Sequence, residues 1–427
     1  MTLAIVISTI VLMIGSILCF PTIKIKKFNI STYWPIALIG AILLLITRSV
    51  SLNTVLSAFT QNNSMNPIKI LVLFISMTIL SIFLDEVGFF KYIANKSAKL
   101  LNGSQLKLFI GFYILISFLT VFTSNDIIIL TFTPFICYYA KNSKINPIPY
   151  LVAEFVAANT WSMALIIGNP TNIYLASAFN IDFVEYLKIM IIPTLIASIV
   201  SLGILYLLFK KSLKMKMEEI ENPEEIKINK VLLIIGLFHL ITTTVLIAIA
   251  SYINLEMWII TLSFAISLIL ITSLYLLIKK RKFTVLTKTI KRAPYSLIPF
   301  VLSMFIIVLS LNEYGLTLKI SNLFNNYNQA FSFGFGGAII ANFINNIPMS
   351  VLFANMDFTN QISIYASIIA SNIAAYLTPV GALAGIMWMS LLKTYNIDFS
   401  FKKFMEYGIA VGLPTLIVAL LALTLII

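Results

Sequence analysis

Charge, cysteine and histidine are all scarce in this chain. Only 11% of its 427 residues are charged, whereas about 25% is usual for a soluble domain. Its two cysteines, Cys19 and Cys137, lie in different apolar segments and make neither a disulfide framework nor a zinc site. The single histidine, His239, stands in an apolar run, so we expect it to be packed rather than catalytic. These absences argue against a soluble enzyme and against a metalloprotein.

Apolar residues take the place of the missing charge. They make up 60% of the chain, and the mean hydropathy is +1.00. Repeated apolar runs of about 20 residues predict transmembrane helices. The first run, residues 3–20, lacks the basic start and small-residue cleavage site of a signal peptide, so we expect a retained helix. The sequence predicts a multi-pass protein of the cell membrane, with the lipid bilayer as its partner.

The positive charge is distributed in a way that predicts the topology. With the N-terminus and C-terminus outside, 25 of the 29 Lys and Arg residues fall on the cytoplasmic side, whereas the opposite loop at 51–67 carries none. The net charge of +13 therefore indicates cytoplasmic loops, and we exclude nucleic acid as a partner. One segment, 105–141, has arms too short to cross, and we expect a re-entrant hairpin with its tip at Ser124, Asn125 and Asp126.

Five short patterns recur in the same order in both halves of the chain. With five crossings and one hairpin each, the second half would enter the membrane from the opposite side, as in secondary transporters. We predict an all-α integral membrane protein of about ten transmembrane helices and two re-entrant hairpins, in an inverted five-helix repeat. The first repeat would span 1–209, with a hairpin at 105–141 and a broken helix at 148–180. A cytoplasmic linker at 210–230 would lead to the second repeat, 231–427, with a hairpin at 330–358 and a broken helix at 361–395.

The two broken helices and the two hairpin tips define the candidate site. A helix interrupted at the bilayer midplane exposes free N–H and C=O groups, and Asn and Thr add neutral donors and acceptors. A simple proline kink would not explain two breaks that are each paired with a polar tip. The Asn side chains could instead cap the broken helix ends. The candidate substrate or ion ligands are Ser124, Asn125, Asp126, Asn159, Gly168, Asn169, Thr171, Asn172, Asn345, Asn346, Asn372, Thr378 and Gly381.

Two acids lie deep in the predicted membrane segments, and such acids are functional candidates by default. Asp126 and Glu154 are therefore candidates for coupling transport to H⁺ or Na⁺. Asp126 could instead cap the second hairpin arm through the N–H groups of Ile128 or Ile129. Asp85 and Glu86 stand at a helix end, and we expect them to be surface charges. No Lys or Arg falls at mid-depth, so a proton, Na⁺ or a neutral solute suits the site as well as an anion.

These motifs resemble those of the ion transporter superfamily, over nearly the whole chain. "TSNDIIILTFTPF", "NNIPMSV" and "LTPVGALAGIMWMSLL" are similar to arsenite-efflux permeases. "GNPTN" looks more like the Gly-Thr-Pro-Pro-Asn loop of citrate and divalent-anion symporters. Those symporters carry paired Ser-Asn-Thr tips, whereas the tips here are Ser124-Asn125-Asp126 and Asn345-Asn346-Ile347. The resemblance implies the fold, secondary transport and an elevator-like movement of the hairpins with the broken helices.

The leading hypothesis is an ion-coupled transporter of a small inorganic solute or anion, of the arsenite- and antimonite-permease type. A sodium-coupled carboxylate or anion symporter and a Na⁺/H⁺ antiporter are the alternatives. A channel and a membrane-embedded enzyme are further classes, but the sequence offers no nucleophile–base pair or hydrolase motif. We expect no cofactor apart from a coupling ion, H⁺ or Na⁺. We expect no bound metal apart from Na⁺ at the hairpin tips. A homodimer, an ATPase partner and either direction of transport stay open.

Overall fold

The computed structural model describes residues 1–20, 22–25, 28–63, 66–101, 103–217 and 228–427, and helices dominate it. Part of the predicted linker, residues 218–227, lies outside the described residues. The first ten helices are α1 Thr2–Cys19, α2 Tyr33–Ile46, α3 Leu52–Thr60, α4 Pro67–Val87, α5 Phe89–Leu100, α6 Gln105–Val121, α7 Asn125–Asn142, α8 Ile148–Trp161, α9 Pro170–Ala178 and α10 Phe183–Leu213. The next ten are α11 Lys230–Ala248, α12 Met257–Ile278, α13 Thr284–Arg292, α14 Leu297–Glu313, α15 Leu316–Asn325, α16 Gln329–Ile344, α17 Asn346–Ala354, α18 Gln361–Ile373, α19 Leu383–Thr394 and α20 Phe401–Thr424.

The helical fold confirms the predicted fold class, with one local addition. Strands β1 Thr22–Ile25 and β2 Phe28–Ser31 pair antiparallel where the sequence predicted only a loop. Among the described residues, six stretches are long and apolar enough to cross a membrane. The count of about ten crossings stays a prediction. The six stretches are Pro67–Val87, Phe183–Leu213, Lys230–Ala248, Met257–Ile278, Thr284–Glu313 and Phe401–Thr424.

The helices pack in two groups. In the first, which we call the inner bundle, α6–α10 contact α16–α20; α10 lies against α20, α9 against α17, and α7 against α19. In the second, the outer frame, α2 lies against α14 and α4 against α12, with α1, α11 and α13 packed beside them. The frame meets the inner bundle where α4 contacts α7 and α9 and where α14 contacts α17. The hairpins and broken helices therefore share one bundle.

The predicted repeat pairs each helix from α1 to α10 with one from α11 to α20, and some of these pairs share local features. The clearest example lies at the ends of α4 and α14. Each of these helices is followed by a glycine with positive φ, Gly88 at 92° and Gly315 at 75°, and then by a short helix. Glycine adopts this conformation without steric cost, so it ends one helix and starts the next at an angle. The inverted relation between the halves stays a prediction.

His239 is packed, as the sequence predicts. It is 2% exposed in α11, with Nδ1 2.7 Å from the carbonyl oxygen of Ile235 and Nε2 3.1 Å from Oγ of Ser267 in α12. Both ring nitrogens therefore have partners within the frame, and His239 contributes to helix packing.

Candidate functional site

The first hairpin tip contacts the first broken helix through an amide pair. The chain turns over at residues 122–124, between α6 and α7. Asn125 donates from Nδ2 to Oδ1 of Asn159 in α8 at 2.9 Å, and Asn159 donates to the carbonyl of Phe155 at 2.8 Å. Within the described ranges the buried hydroxyl of Ser124 has no hydrogen-bond partner, although Ser124 is the N-cap of α7. This tip therefore keeps one buried polar group unsatisfied.

The first broken helix is interrupted before Pro170. Asn169 caps α9, because its Oδ1 accepts from the backbone N–H of Thr171 at 3.2 Å. Pro170 takes the first helical position, where a missing N–H breaks no helical hydrogen bond. Gly168 lies so close to the carbonyl oxygen of Ser162 that a Cβ there would collide with it. The sequence "GNPTN" thus provides the close approach, the cap and the start of α9.

Asn372 of α18 joins the two broken helices. Its Oδ1 accepts from Oγ of Ser162 at 2.7 Å and from Nδ2 of Asn169 at 3.1 Å, and its Nδ2 donates to Oδ1 of Asn172 at 2.7 Å. Asn172 donates in turn to the carbonyls of Ser162 and Leu165 at 2.8 and 3.1 Å. All five residues are buried. Asn172 therefore satisfies two backbone carbonyls at the first break, and Asn372 holds the side chains of Asn169 and Asn172 in place.

The second hairpin tip is bonded to the second break through the backbone. Asn345, between α16 and α17, has a φ of 77° and donates from Nδ2 to the carbonyl of Val380 at 3.0 Å. The backbone N–H of Asn346 donates to the carbonyl of Gly381 at 2.9 Å. The Asn346 side chain donates to the carbonyl of Ser371 at 3.2 Å. Tip and break are thus held together at three points.

Two threonines of the candidate set lie beside these contacts. Thr171 shares a hydrogen bond of 2.9 Å with Oγ of Ser371, and Thr378 donates to Oδ1 of Asn342 at 2.7 Å. Asn342 also donates to the carbonyl of Ala374 at 3.3 Å, inside the second break. The structure therefore brings most of the predicted polar residues into one hydrogen-bonded region between the hairpins and the breaks.

Three residues of this region were absent from the predicted set: Ser162, Asn342 and Ser371. A signal for Asn342 exists in the sequence, because "ANFINN" places it one helical turn before the second tip. Ser371 directly precedes Asn372, and Ser162 lies one turn after Asn159. Nothing in their residue type separates them from the many other Ser and Asn residues of the chain.

The two acids have different surroundings. Asp126 is partly exposed, and among the described residues its carboxylate has no hydrogen bond or ion pair. The capping alternative is wrong, because the N–H of Ile128 bonds to the carbonyl of Ser124, and among the described residues no hydrogen bond joins the Asp126 carboxylate to the N–H of Ile128 or Ile129. Glu154 is fully buried, and both of its carboxylate oxygens accept from Oγ1 of Thr133 in α7, at 2.8 and 3.0 Å. Asp126 is therefore the acid that remains free for a ligand.

The prediction that Asp85 and Glu86 are surface charges is wrong. Their side chains are only 10% and 11% exposed, and Arg292 of α13 pairs with both, at 2.8 and 2.5 Å. The hydroxyl of Thr131 in α7 also donates to Oδ1 of Asp85 at 2.7 Å. A polar contact therefore links the outer frame to the first hairpin near the end of α4.

The hydrogen-bonding region is neutral apart from Asp126. Its side chains are amides and hydroxyls, and its backbone groups come from two breaks and two tips. Within the part of the chain that the structure describes, no group of three or more His, Cys, Asp or Glu residues could hold a metal ion. Such a site suits a small polar solute or an ion that amide and carbonyl groups can hold.

The comparisons with known proteins point to membrane transporters. Residues 22–365 match the family CitMHS, described as citrate transporter. An arsenical pump membrane protein of Yersinia enterocolitica is 28% identical over 380 residues, which is 82% of this chain and 85% of that protein. A putative arsenical pump membrane protein of Bacillus subtilis (strain 168) is 23% identical over 414 residues, 88% of this chain and 90% of the relative.

A solved structure shares the fold. The YdaH transporter of Alcanivorax borkumensis superposes with a TM-score of 0.58, covering 99% of this chain and 97% of its own, at 12% sequence identity. At this identity the likeness shows a common fold and carries no information on the solute.

Proposed function

We propose that this chain, which belongs to the citrate transporter family, is an ion-coupled secondary transporter of a small inorganic solute or anion. The observation that carries the proposal is the meeting of two hairpin tips and two helix breaks in one buried, neutral hydrogen-bonding region. Broken helices at mid-membrane are where secondary transporters bind substrate and coupling ions. At the first tip the buried Ser124 hydroxyl has no hydrogen-bond partner among the described residues and is available to a ligand.

The proposed solute is arsenite or antimonite, the type that the relatives named arsenical pump membrane protein suggest. Arsenous acid is a small oxyacid, uncharged at neutral pH, whose hydroxyl groups both donate and accept hydrogen bonds. The amides of Asn125 and Asn159 and the hydroxyl of Ser124 match those groups without a buried base. A carboxylate such as citrate is the second candidate, on the description of the family.

We assign the coupling ion to the first hairpin tip. Asp126 is an acid without a partner among the described residues, and it adjoins Ser124 and Asn125. A carboxylate that gains or loses a proton, or that binds Na⁺ with a hydroxyl and an amide oxygen, would link solute binding to an ion gradient. Glu154 is the second candidate for this role, because it is fully buried and its carboxylate accepts from the hydroxyl of Thr133.

Transport would proceed by a sliding of the inner bundle against the outer frame. Part of their interface is apolar: Ile70, Leu71 and Phe74 of α4 and Leu297 and Val301 of α14 line a small cavity. Pro170, Tyr174, Ile347 and Ser350 of the inner bundle line the same cavity. Apolar side chains have no fixed hydrogen bonds to exchange as two surfaces move past each other, so such an interface favours an elevator movement. The N-terminus and C-terminus would lie outside, by the distribution of basic residues.

Transport by the purified protein in liposomes tests the proposal. We expect radioactive arsenite or antimonite to accumulate against its own gradient when a proton or Na⁺ gradient is imposed. The Asn125→Ala variant should lose this accumulation, whereas Asn326→Ala, at an exposed position after α15, should retain it. Accumulation of citrate instead would establish the symporter alternative.

Two other outcomes would reject secondary transport. Dissipation of a solute gradient without any accumulation would indicate a channel. Chemical turnover of the solute that no ion gradient affects would indicate an enzyme. Full activity of Asn125→Ala would leave transport standing and remove the first tip from the site.

A further inference from the structure

A large cavity opens beside the second break. It has a volume of about 840 Å³ and lies between the end of α1 and α19. Ile17 and Cys19 of α1 form one wall, Met389 and Ser390 of α19 form the other, and Val380 lies at the break itself. Because the Val380 carbonyl accepts the side-chain hydrogen bond of Asn345 in the second tip, the cavity adjoins the candidate site.

The other end of this cavity is polar and exposed. Lys393 in the last turn of α19 and Asn396 and Asp398 in the segment between α19 and α20 line it, and all three are exposed. In the proposed topology this segment is cytoplasmic, as the neighbouring Lys402 and Lys403 indicate. In this topology the cavity leads from the cytoplasmic face to the second break at Val380, and its volume leaves room for a small solute with hydration water.

A second cavity, near the opposite face, is much smaller. It has a volume of about 220 Å³ and lies between Lys69, Glu256 and Trp258 of the frame and the segment that joins α9 to α10. Its polar wall is already paired, because Lys69 binds the carboxylate of Glu256, and this hydrogen bond lowers the pKa of Glu256. Trp258 donates to the same carboxylate at 2.8 Å. Of these two cavities, the larger is the one on the cytoplasmic side in the proposed topology.

We propose that the cavity between α1 and α19 is the path by which a small polar solute passes between the cytoplasm and the hairpin tips. This inference rests on the proposed function and on the proposed orientation. The walls belong to different groups, α1 to the frame and α19 to the inner bundle. A sliding of the inner bundle would therefore widen or close the path.

The native cysteines allow a direct test. Cys19 is exposed in the wall of the cavity, whereas Cys137 is buried in α7. In a Cys137→Ala chain, a charged methanethiosulfonate reagent that cannot cross the bilayer should react with Cys19 from the cytoplasmic side. The adduct should lower arsenite or citrate transport, whichever the unmodified chain performs, by about tenfold or more, and a reducing agent should restore it.

Two variants separate a blocked path from a disturbed helix. Lys214→Cys, in a chain with both native cysteines replaced by Ala, places the thiol on an exposed site after α10 and should react without loss of transport. Ser390→Trp narrows the cavity from the opposite wall and should block transport, whereas Ser390→Ala should not.

The outcomes distinguish this inference from the function on which it rests. A modified Cys19 or a Ser390→Trp chain with full transport would place the path elsewhere and leave the transporter assignment intact. A thiol at position 19 that stays unreactive from both sides would contradict an open cavity, and reaction from the outside alone would reverse the orientation. An unmodified chain that transports neither arsenite nor citrate under any gradient would overturn both proposals.

Discussion

The two hairpin tips hold their broken helices in different ways. The second tip makes three hydrogen bonds to its own half, from Asn345 and Asn346 to carbonyls at Val380, Gly381 and Ser371. The first tip makes one side-chain contact with its broken helix, from Asn125 to Asn159, and leaves the Ser124 hydroxyl without a partner in the ranges described.

The two breaks also differ, and here it is the first half that carries more amide side chains. Asn169 and Asn172 stabilise the first break, with Asn372 reaching across from the second half. At the corresponding place the second break has "GALAG", which offers no amide side chain. A half whose polar groups are already paired has little left to offer a ligand. We therefore propose that a ligand binds nearer the first tip and that Asn172, Asn345 and Asn346 have a structural role.

The largest effect should come from Asn372→Ala. It removes the partner of Ser162, Asn169 and Asn172 at once, and each buried group left unpaired costs about 1–3 kcal/mol. We expect loss of transport together with a lowered melting temperature of the detergent-solubilised protein.

Asn159→Ala is the matched control, because Asn159 lies nine residues before Gly168 as Asn372 lies nine before Gly381. It should abolish transport with a smaller loss of stability, since only Asn125 loses a side-chain partner. Equal losses of stability in the two variants would refute the division between a structural break and a ligand-binding tip.

Asp126→Asn should abolish coupling while preserving binding. The second tip has Ile347 at the corresponding position, so the acid belongs to one half alone. The amide keeps the shape of the side chain and removes its charge, and we expect solute to equilibrate without accumulating, with no dependence on pH or Na⁺.

Glu154→Gln is the control for this variant, because a Gln oxygen still accepts from Thr133. It should keep accumulating solute. Uptake measured across pH in both variants shows which acid couples transport to the ion. If Glu154→Gln lost accumulation and Asp126→Asn kept it, the coupling group would be Glu154.

The sequence predicts the elements of this site better than their connections. Both hairpins and both breaks follow from Gly, Pro and Asn within apolar runs, because these residues interrupt helices locally. The bridge from Asn372 to Asn172 depends on how the two halves pack, and no local pattern encodes it. The same reason explains the error at Asp85 and Glu86, whose partner Arg292 is about 200 residues away in the sequence.

Ser124→Ala should weaken solute binding without loss of stability. Its hydroxyl has no partner within the described residues, so removing it breaks no hydrogen bond in the free protein. A hydrogen bond to solute contributes about 1 kcal/mol, so we expect a roughly fivefold weaker affinity.

The corresponding residue of the second tip, Asn345, should behave in the opposite way. Asn345→Ala loses a hydrogen bond to Val380, a cap on Ile347 and a residue that tolerates positive φ, so stability should fall by about 2 kcal/mol. Thermal shifts without arsenite measure the stability of each variant, and the additional shift with arsenite measures its affinity for the solute. A destabilised Ser124→Ala protein would show that the hydroxyl is structural.

The smallest effect should come from Thr131→Val, at the contact between the first hairpin and the frame. The variant removes the hydrogen bond to Asp85 but leaves Asp85 paired with Arg292, so we expect a stability loss of about 1 kcal/mol or less. If the inner bundle slides, this bond must break in each cycle, and its removal should change the transport rate a few-fold.

In the second half the corresponding residue, Asn312, accepts from Thr317 of the adjoining helix α15, so Thr317→Val should leave the rate unchanged. Initial rates of arsenite uptake at saturating solute measure this difference. Equal rates in the wild-type chain and both variants would show that the Thr131–Asp85 bond persists through the cycle, and that the first hairpin does not move relative to α4.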